Sequence, residues 1–475
     1  MGERTSLSLV SVVLVALLAA ACGGSRSPES TGPTPPDSTS ATSATVPTVA
    51  PTAAPESGEV FGNGLAWPCG PGDASGSTDQ GITDTSITIG VGDDRGLAAS
   101  PGLNKEMTDA VLAFVDHCND LGGIQGRTVE AVVYDAAIFN VATVMTEACS
   151  EVFMLVGEGF ALDDQGEELR VECGLGAVPA FSVSAAFSHG PLMYQAVANP
   201  ADQAVMSQAE QVAELFPDRI DHSATLFANF GATMETTQKM LASWDDAGYE
   251  FVVELPYNVS GEDDWTPFVR EFADAGVRHV YFSGTCLPMY QGARQAAELN
   301  GLDAVWTSEA NLYSDVCSAA NADHAMDRTY IRLVFLPLEE ADASPAVADF
   351  VRIVTDAGAT PSLLGMQGAA SFLLWATAAN ECGSELTSDC VLAAIEAIDT
   401  WDSGGLHVPT TPRDNAAPTC GLLVEMVGTT YERVTPTEPG TFSCDPAWSQ
   451  PVTTAAVEAI HLDENRLSTL YAVPE

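Results

Sequence analysis

The sequence predicts an α/β protein of two lobes, each built on a parallel sheet with helices on its faces. Three observations carry that prediction. Strand and helix patterns alternate from Ile82 onward. The globular stretch is roughly 400 residues, more than one core usually supports. Ten cysteines remain once one is assigned to the N-terminal export signal, an even set suited to disulfides in an exported chain.

The N-terminus sets the compartment. Arg4 precedes an apolar run from Leu7 to Leu18, and Ala19-Ala20-Ala21-Cys22 follows. The run fits a signal peptide and is too short to cross a bilayer comfortably. Small residues before Cys22 resemble a bacterial lipobox, which implies residues 1–21 as signal peptide and lipidation of Cys22. Plain secretion after an Ala-x-Ala site is the alternative. Residues 25–58 are Ser, Thr, Pro, Ala and Gly with little to bury. Such a composition makes an extended tether rather than a fold, so residues 22–66 are read as lipidated cysteine plus tether. The expected location is extracytoplasmic, anchored to the cell membrane by lipid only.

The disulfide candidates are Cys69, Cys118, Cys149, Cys173, Cys286, Cys317, Cys382, Cys390, Cys420 and Cys444. Sequence leaves their connectivity open; bridges between sequential neighbours are the expectation, with Cys382–Cys390 the most local. No Cys-x-x-Cys spacing of zinc or redox sites occurs, so neither a metal nor a cofactor is expected. The chain carries 17 basic and 65 acidic residues, a net charge of −48. Such a surface repels nucleic acid and anionic headgroups, excluding both as partners. Acid excess with only two lysines, Lys105 and Lys239, suits saline surroundings. The melting temperature is therefore expected to rise between very low and about molar salt; a value that stays constant would contradict the reading.

Ser86–Val91 reads as a strand ending in the loop Gly92-Asp93-Asp94-Arg95-Gly96, followed by a helix with Met107, Val111, Leu112, Phe114 and Val115 on its apolar face. Gly122-Gly123 stops that helix, and Val129–Tyr134 is the next strand. Strands are then expected at Phe153–Val156, Ala177–Phe181, Ser223–Ala228, Phe251–Leu255 and His279–Phe282. Helices are expected at Gln203–Leu215, Thr233–Ala247 and Trp265–Ala275.

These segments carry a resemblance. Ile82 to Gly90 is similar to the opening strand of the leucine/isoleucine/valine-binding type of periplasmic solute-binding protein, and Leu121 to Arg127 to that family's helix stop. Val178 to Ala185, Phe230-Gly231, Asp264 to Gly284, Leu336-Pro337-Leu338 and Gly365 to Ala369 keep its order, over roughly residues 80 to 435. The resemblance implies the periplasmic binding protein type I fold: two Rossmann-like lobes joined by a three-strand hinge. Crossovers are implied near Asn199–Ala201, Ala310 and Ala416, giving residues 67–200 and 311–415 to the first lobe and 201–310 and 416–475 to the second.

Function enters as an implication of that architecture. The family closes a hinge over a small solute and passes it to a membrane permease and an ATPase, the partners expected of an ABC importer. A sensor subunit with the same fold is the alternative reading. Carried over by position, ligand-binding candidates are Glu158, Gly159, Ser182 and Ser184 in one lobe and Phe230 and Thr285 in the other. Asp93 and Arg95 end the first strand, where a charged ligand could dock, and Trp306 is a further cleft candidate. Each has a plain structural use: serines cap helices, Phe230 and Trp306 pack, Glu158 is solvated, and Asp93 and Arg95 pair. The solute is read as a small polar molecule, an amino acid, an amide or a carboxylate-like one; the second-lobe loop Gly284 to Tyr290 contains no Asp or Glu to meet an ammonium, which weighs against a zwitterionic α-amino acid. No Gly-x-Ser-x-Gly elbow, His-Glu-x-x-His or Walker loop occurs, and no catalysis is expected. The pairs Asp163-Asp164 and Asp263-Asp264 lack calcium-loop spacing and are read as helix-start or solvated charges.

Overall fold

Residues 59–98 and 100–473 are described in the computed structural model of the chain. The segment expected as signal peptide, Cys22 and the Ser/Thr/Pro-rich run to residue 58 lie outside the described residues. A hairpin of β1 (Val60–Phe61) and β2 (Leu65–Ala66) comes first. Phe61 is fully buried, with its ring against Trp67 and Phe114, so the globular part begins before the expected boundary at residue 66.

The first sheet contains β3 (Ser86–Asp93), β4 (Thr128–Asp135), β5 (Leu155–Val156) and β6 (Ala177–Val178). All four are parallel, in the order β4-β3-β5-β6. Ile87, Ile89 and Val91 of β3 are buried with Val111 and Phe114 of α1 (Lys105–Leu121). Gly122 and Gly123 end that helix with φ of 116° and 77°, the left-handed region glycine tolerates. On the other face, Tyr134, Leu155 and Ala177 pack with α2 (Val141–Glu151), beside α3 (Asp164–Glu172). Alternate residues of β5 and β6 thus serve opposite cores, as a sheet covered on both faces requires. The strand expected over Ala177–Phe181 ends at Val178, because Pro179 follows and has no N–H for the ladder. A short helix, α4 (Ala185–Ser188), closes this run.

The chain then leaves the first sheet. The helix expected over Gln203–Leu215 starts as a strand, β7 (Gln203–Val205), and becomes α5 only at Ser207–Leu215. The second sheet takes β8 (Ser223–Ala228), β9 (Phe251–Tyr257), β10 (His279–Ser283), β11 (Val305–Ser308) and β12 (Thr329–Leu333) in parallel. Between them lie α6 (Gly231–Leu241), α7 (Thr266–Asp274), α8 (Gln291–Asn300) and the short α9 (Asp315–Ala319). Because β12 pairs with β11, the chain stays with the second sheet to Leu333, well past the crossing expected near Ala310.

Next come α10 (Pro345–Asp356), α11 (Leu363–Cys382) and α12 (Ser388–Glu396), which return to pack around α1 without adding a strand to the first sheet. The second sheet is completed by β13 (Cys420–Val427) and β14 (Thr430–Thr435), both antiparallel, with β15 (Ser443–Cys444) beside β13. Finally β16 (Ser449–Pro451) pairs with β7, and α13 (Ala455–Ile460) sits on α4. The C-terminal residues therefore do not all belong to the second lobe.

Five disulfides join sequential neighbours, as expected: Cys69–Cys118, Cys149–Cys173, Cys286–Cys317, Cys382–Cys390 and Cys420–Cys444. Among the described residues, no helix is long and apolar enough to cross a membrane.

Candidate functional site

In parallel sheets, side chains that serve a ligand gather on the loops leaving the strand carboxyl ends. After β3, Asp93 is fully buried, and its carboxylate accepts from the Arg95 backbone N–H (2.9 Å), Nε (2.9 Å) and Nη2 (2.6 Å). Arg95 also reaches Asp109 at 3.2 Å. These two candidates are committed to one another, the plain use foreseen for them. Asp94, which sequence reasoning passed over, is equally buried and ties three loops together. Its carboxylate accepts from Ile138 N–H after β4 (2.7 Å) and Ala161 N–H after β5 (2.9 Å). Burial raises its pKa, against the lowering effect of those two bonds.

Glu158 follows β5. It is 1% exposed, and neither carboxyl oxygen has a hydrogen-bond partner. Burial pushes its pKa up to about 8, against the lowering effects of its own nearby backbone N–H and of Arg170, with Glu167 and Asp163 adding to the rise. The side chain is therefore mostly protonated at neutral pH, a donor as well as an acceptor. The expected solvated alternative is excluded by its burial. Gly159 donates to Gly92 O at 3.1 Å, and a Cβ there would stand 2.6 Å from the Phe181 ring. Glycine is required at that position by packing.

After β6 the serines have structural partners. Ser182 is buried and donates to Gln195 Oε1 at 2.9 Å. Ser184 caps α4, accepting from Phe187 N–H at 3.2 Å. Asp163 is buried rather than solvated, and accepts from Val183 N–H (2.7 Å) and Ser184 N–H (3.0 Å). Burial pushes its pKa up to about 7.

The second lobe presents different chemistry. Asn229, Pro256, Tyr257, Asn258 and Val259, at the ends of β8 and β9, line a cavity of 260 Å³. Tyr257 stacks on Phe282 at 5.6 Å and donates to Ser283 O at 3.3 Å, which fixes the cavity floor. Phe230 directly precedes α6 and is half-buried, and Thr285 after β10 is exposed. Trp306 is 1% exposed and stands within β11, with Arg294 5.0 Å above its ring and Tyr290 at 5.8 Å. Its expected cleft position is corrected: it lies before the carboxyl end of its strand, and the indole is spent on core packing and a cation–π contact.

The two edges meet where Ala185 N–H, at the start of α4, donates to Glu235 Oε2 of α6 at 3.2 Å. Farther along α6, Lys239 Nζ donates to Asn199 Oδ1 (2.9 Å) and Pro200 O (3.0 Å) in the first crossing. Sequence reasoning missed Asp94, Asn229, Asn258 and Glu235. A search restricted to the two residues after each parallel strand would have found the two asparagines. Among the described residues, no group of three or more His, Cys, Asp or Glu side chains is placed to hold a metal ion.

Comparison with known proteins agrees with this geometry. A family model described as periplasmic binding protein matches residues 176–430. Three solved structures share the fold. The fatty acid ABC transporter substrate-binding protein from Thermomonospora curvata gives a TM-score of 0.64 at 17% identity, covering 79% of this chain and 100% of that one. A possible leucine/isoleucine/valine-binding protein from Rhodopirellula baltica SH 1 gives 0.64 at 16% identity, covering 76% and 98%. A solute-binding protein of an ABC transporter from Rhodopseudomonas palustris HaA2, in complex with p-hydroxybenzoic acid, gives 0.61 at 16% identity, covering 78% and 98%. A search among curated protein sequences finds no match. With two sheets whose carboxyl edges meet, and a family match over more than half its length, the chain belongs to the periplasmic binding protein family.

Proposed function

We propose that this protein is the lipid-anchored, extracytoplasmic solute receptor of an ABC importer. It captures a small polar solute between its lobes by hinge closure and presents it to permease and ATPase subunits, without transforming it. The observation that carries the reading is Glu158, a buried carboxyl with no partner at the carboxyl edge of the first sheet. A group of this kind costs stability unless function retains it. The structural relatives point to carboxylate-bearing solutes, since one is described as a fatty acid transporter component and another holds p-hydroxybenzoic acid. A protonated Glu158 suits that chemistry, because it donates to a carboxylate or amide oxygen. Asn229 and Asn258 on the opposite lobe offer both donors and acceptors. Phe230, Thr285 and Gly159 complete the proposed lining, while the loop from Gly284 to Tyr290 brings no acid for an ammonium.

The test is a thermal-shift screen of a form starting at Glu59, so that Phe61 keeps its place in the core. Carboxylates, amides and amino acids are compared in buffer of fixed salt. A solute present at about 100 times its dissociation constant stabilises the native state by about 2.7 kcal/mol, a rise of several degrees. Failure of every class to raise the melting temperature would count against the receptor reading.

A further inference from the structure

Three hinge crossings are implied by the family, yet the structure contains a fourth passage between the lobes. β16 pairs with β7 on the second-lobe side, and Val452 N–H donates to Asp202 O at 2.8 Å. The chain then runs to the first lobe, where Ile460 of α13 is buried against Ala185 and Ala186 of α4. Ser468 N–H donates to His189 O at 2.8 Å, at the far end of α4. This segment lies beyond residue 430, where the family match ends.

Arg466 stands at the centre of the passage. Its Nε donates to Asp202 Oδ2 at 2.7 Å and its Nη2 to Asp202 Oδ1 at 2.5 Å, a bidentate pair on the first crossing. Its Nη1 donates to Asp414 O at 2.7 Å, on the third crossing. Its own carbonyl meets His189 Nδ1 at 2.8 Å, and the opposite ring nitrogen, Nε2, accepts from Ala201 N–H at 3.1 Å. Two crossings and the first-lobe helix α4 thus converge on one side chain and its backbone. Neighbouring bonds reinforce the knot: Asn415 Nδ2 donates to Ser188 O, and Ala417 N–H to Gln203 Oε1, both at 2.8 Å. Hinge motion is absorbed as torsional change in a few linker residues, so a fork holding two linkers at fixed spacing opposes that change.

We propose that Val452–Thr469 is a strap across the hinge, and that Arg466 is a positioning residue that holds the lobes near one another before solute binds. The helix it braces, α4, begins at Ala185, whose N–H is the bond to Glu235 across the lobes. The strap therefore acts through α4 on the residues just after the Ser182–Ser184 loop. The proposal goes beyond the solute-receptor reading and needs only the two-lobed fold.

Its test uses the full chain and no solute. Amide exchange at Ala185 and the radius of gyration in solution are measured for the wild type, Arg466→Ala, Arg466→Lys and Ile460→Ala. Circular dichroism and the melting temperature serve as folding controls. The expected result is exchange at Ala185 about tenfold or more faster in Arg466→Ala, with a larger radius. Arg466→Lys should fall between, because an ammonium meets Asp202 without the bidentate fork. Ile460→Ala loosens α13 without removing any of the Arg466 bonds and should move both readouts the same way, so the test survives if Arg466→Ala does not fold. Unchanged exchange and radius in folded variants, whatever the melting temperature does, would overturn the proposal. Because no solute is used, that failure is separable from failure of the receptor reading.

Discussion

At the carboxyl edge of the first sheet the loops are fastened by buried carboxylates, whereas at the edge of the second sheet they carry amides and rings around a cavity. Asp94 and Asp163 take backbone N–H groups from neighbouring loops and Asp93 takes one from its own, while Glu158 is buried among them with no bond to another residue. Around Asn229, Tyr257 and Asn258 the backbone is held by strand pairing; Tyr257 is fastened to Ser283 O and Asn258 Oδ1 accepts from Ser260 N–H, while both still line the cavity with Asn229. The contrast is local: after β3, β5 and β6 carboxylates hold loop backbone, whereas after β8 and β9 amides border open space. A carboxylate that anchors three loops cannot be exchanged cheaply; an amide on a cavity wall can.

The largest expected loss is at Cys69–Cys118, which closes a sequence separation of 49 in the first lobe. Its removal as a double alanine variant should cost about 4 kcal/mol by loop entropy, read from urea denaturation. The comparison itself is broken most directly by removing an anchor. Asp94→Ala leaves two partly buried N–H groups without their acceptor, each worth about 1–2 kcal/mol, and should cost about 2–4 kcal/mol in urea denaturation. An effect under about 1 kcal/mol would mean the first edge is not held as described.

Glu158→Gln sharpens the contrast with the opposite sign. Burial holds the native pKa near 8, above the ordinary 4.5, so the protonated native form is favoured. The stability this proton contributes is complete below about pH 4.5 and lost as pH rises through about 8. The glutamine variant escapes that loss. It should match the wild type near pH 4 and exceed it by on the order of a few kcal/mol near pH 9, measured by denaturation across pH. The smallest stability effect belongs to the second edge. Asn229→Ala should stay within about 0.5 kcal/mol of wild type while weakening solute binding about tenfold by calorimetry.

Much of the scaffold was legible because its signals are local. Ser223–Ala228 forms a strand over the residues expected, Gly122-Gly123 ends α1 with positive φ, and the five cystines follow sequence order. The misses share one physical cause, that sequence gives an element's character but not its neighbours. Gln203–Val205 is short and adjoins a helix; it becomes a strand only because Ser449–Pro451 arrives from the far end of the chain. Trp306 sits in a genuine strand, yet nothing local says which end of the strand faces the cleft. Glu158 was found by its place after β5, but its burial depends on loops distant in sequence. The amide residues of the second edge were missed because asparagine after a strand reads as an ordinary turn residue.

The hairpin of β1 and β2 has a mechanical consequence. Gly62 N–H donates to Asp349 and Asn63 N–H to Gly404 O, and Cys69 is bonded to Cys118 near the C-terminal end of α1. That end of α1 lies opposite its start at Lys105, which follows the carboxyl-edge loop of β3. Under the anchoring proposed above, a pull entering at Glu59 is therefore first taken up by the first lobe. On that proposal, the leash meets the first lobe on the side away from the carboxyl-edge loops and leaves the candidate site facing outward.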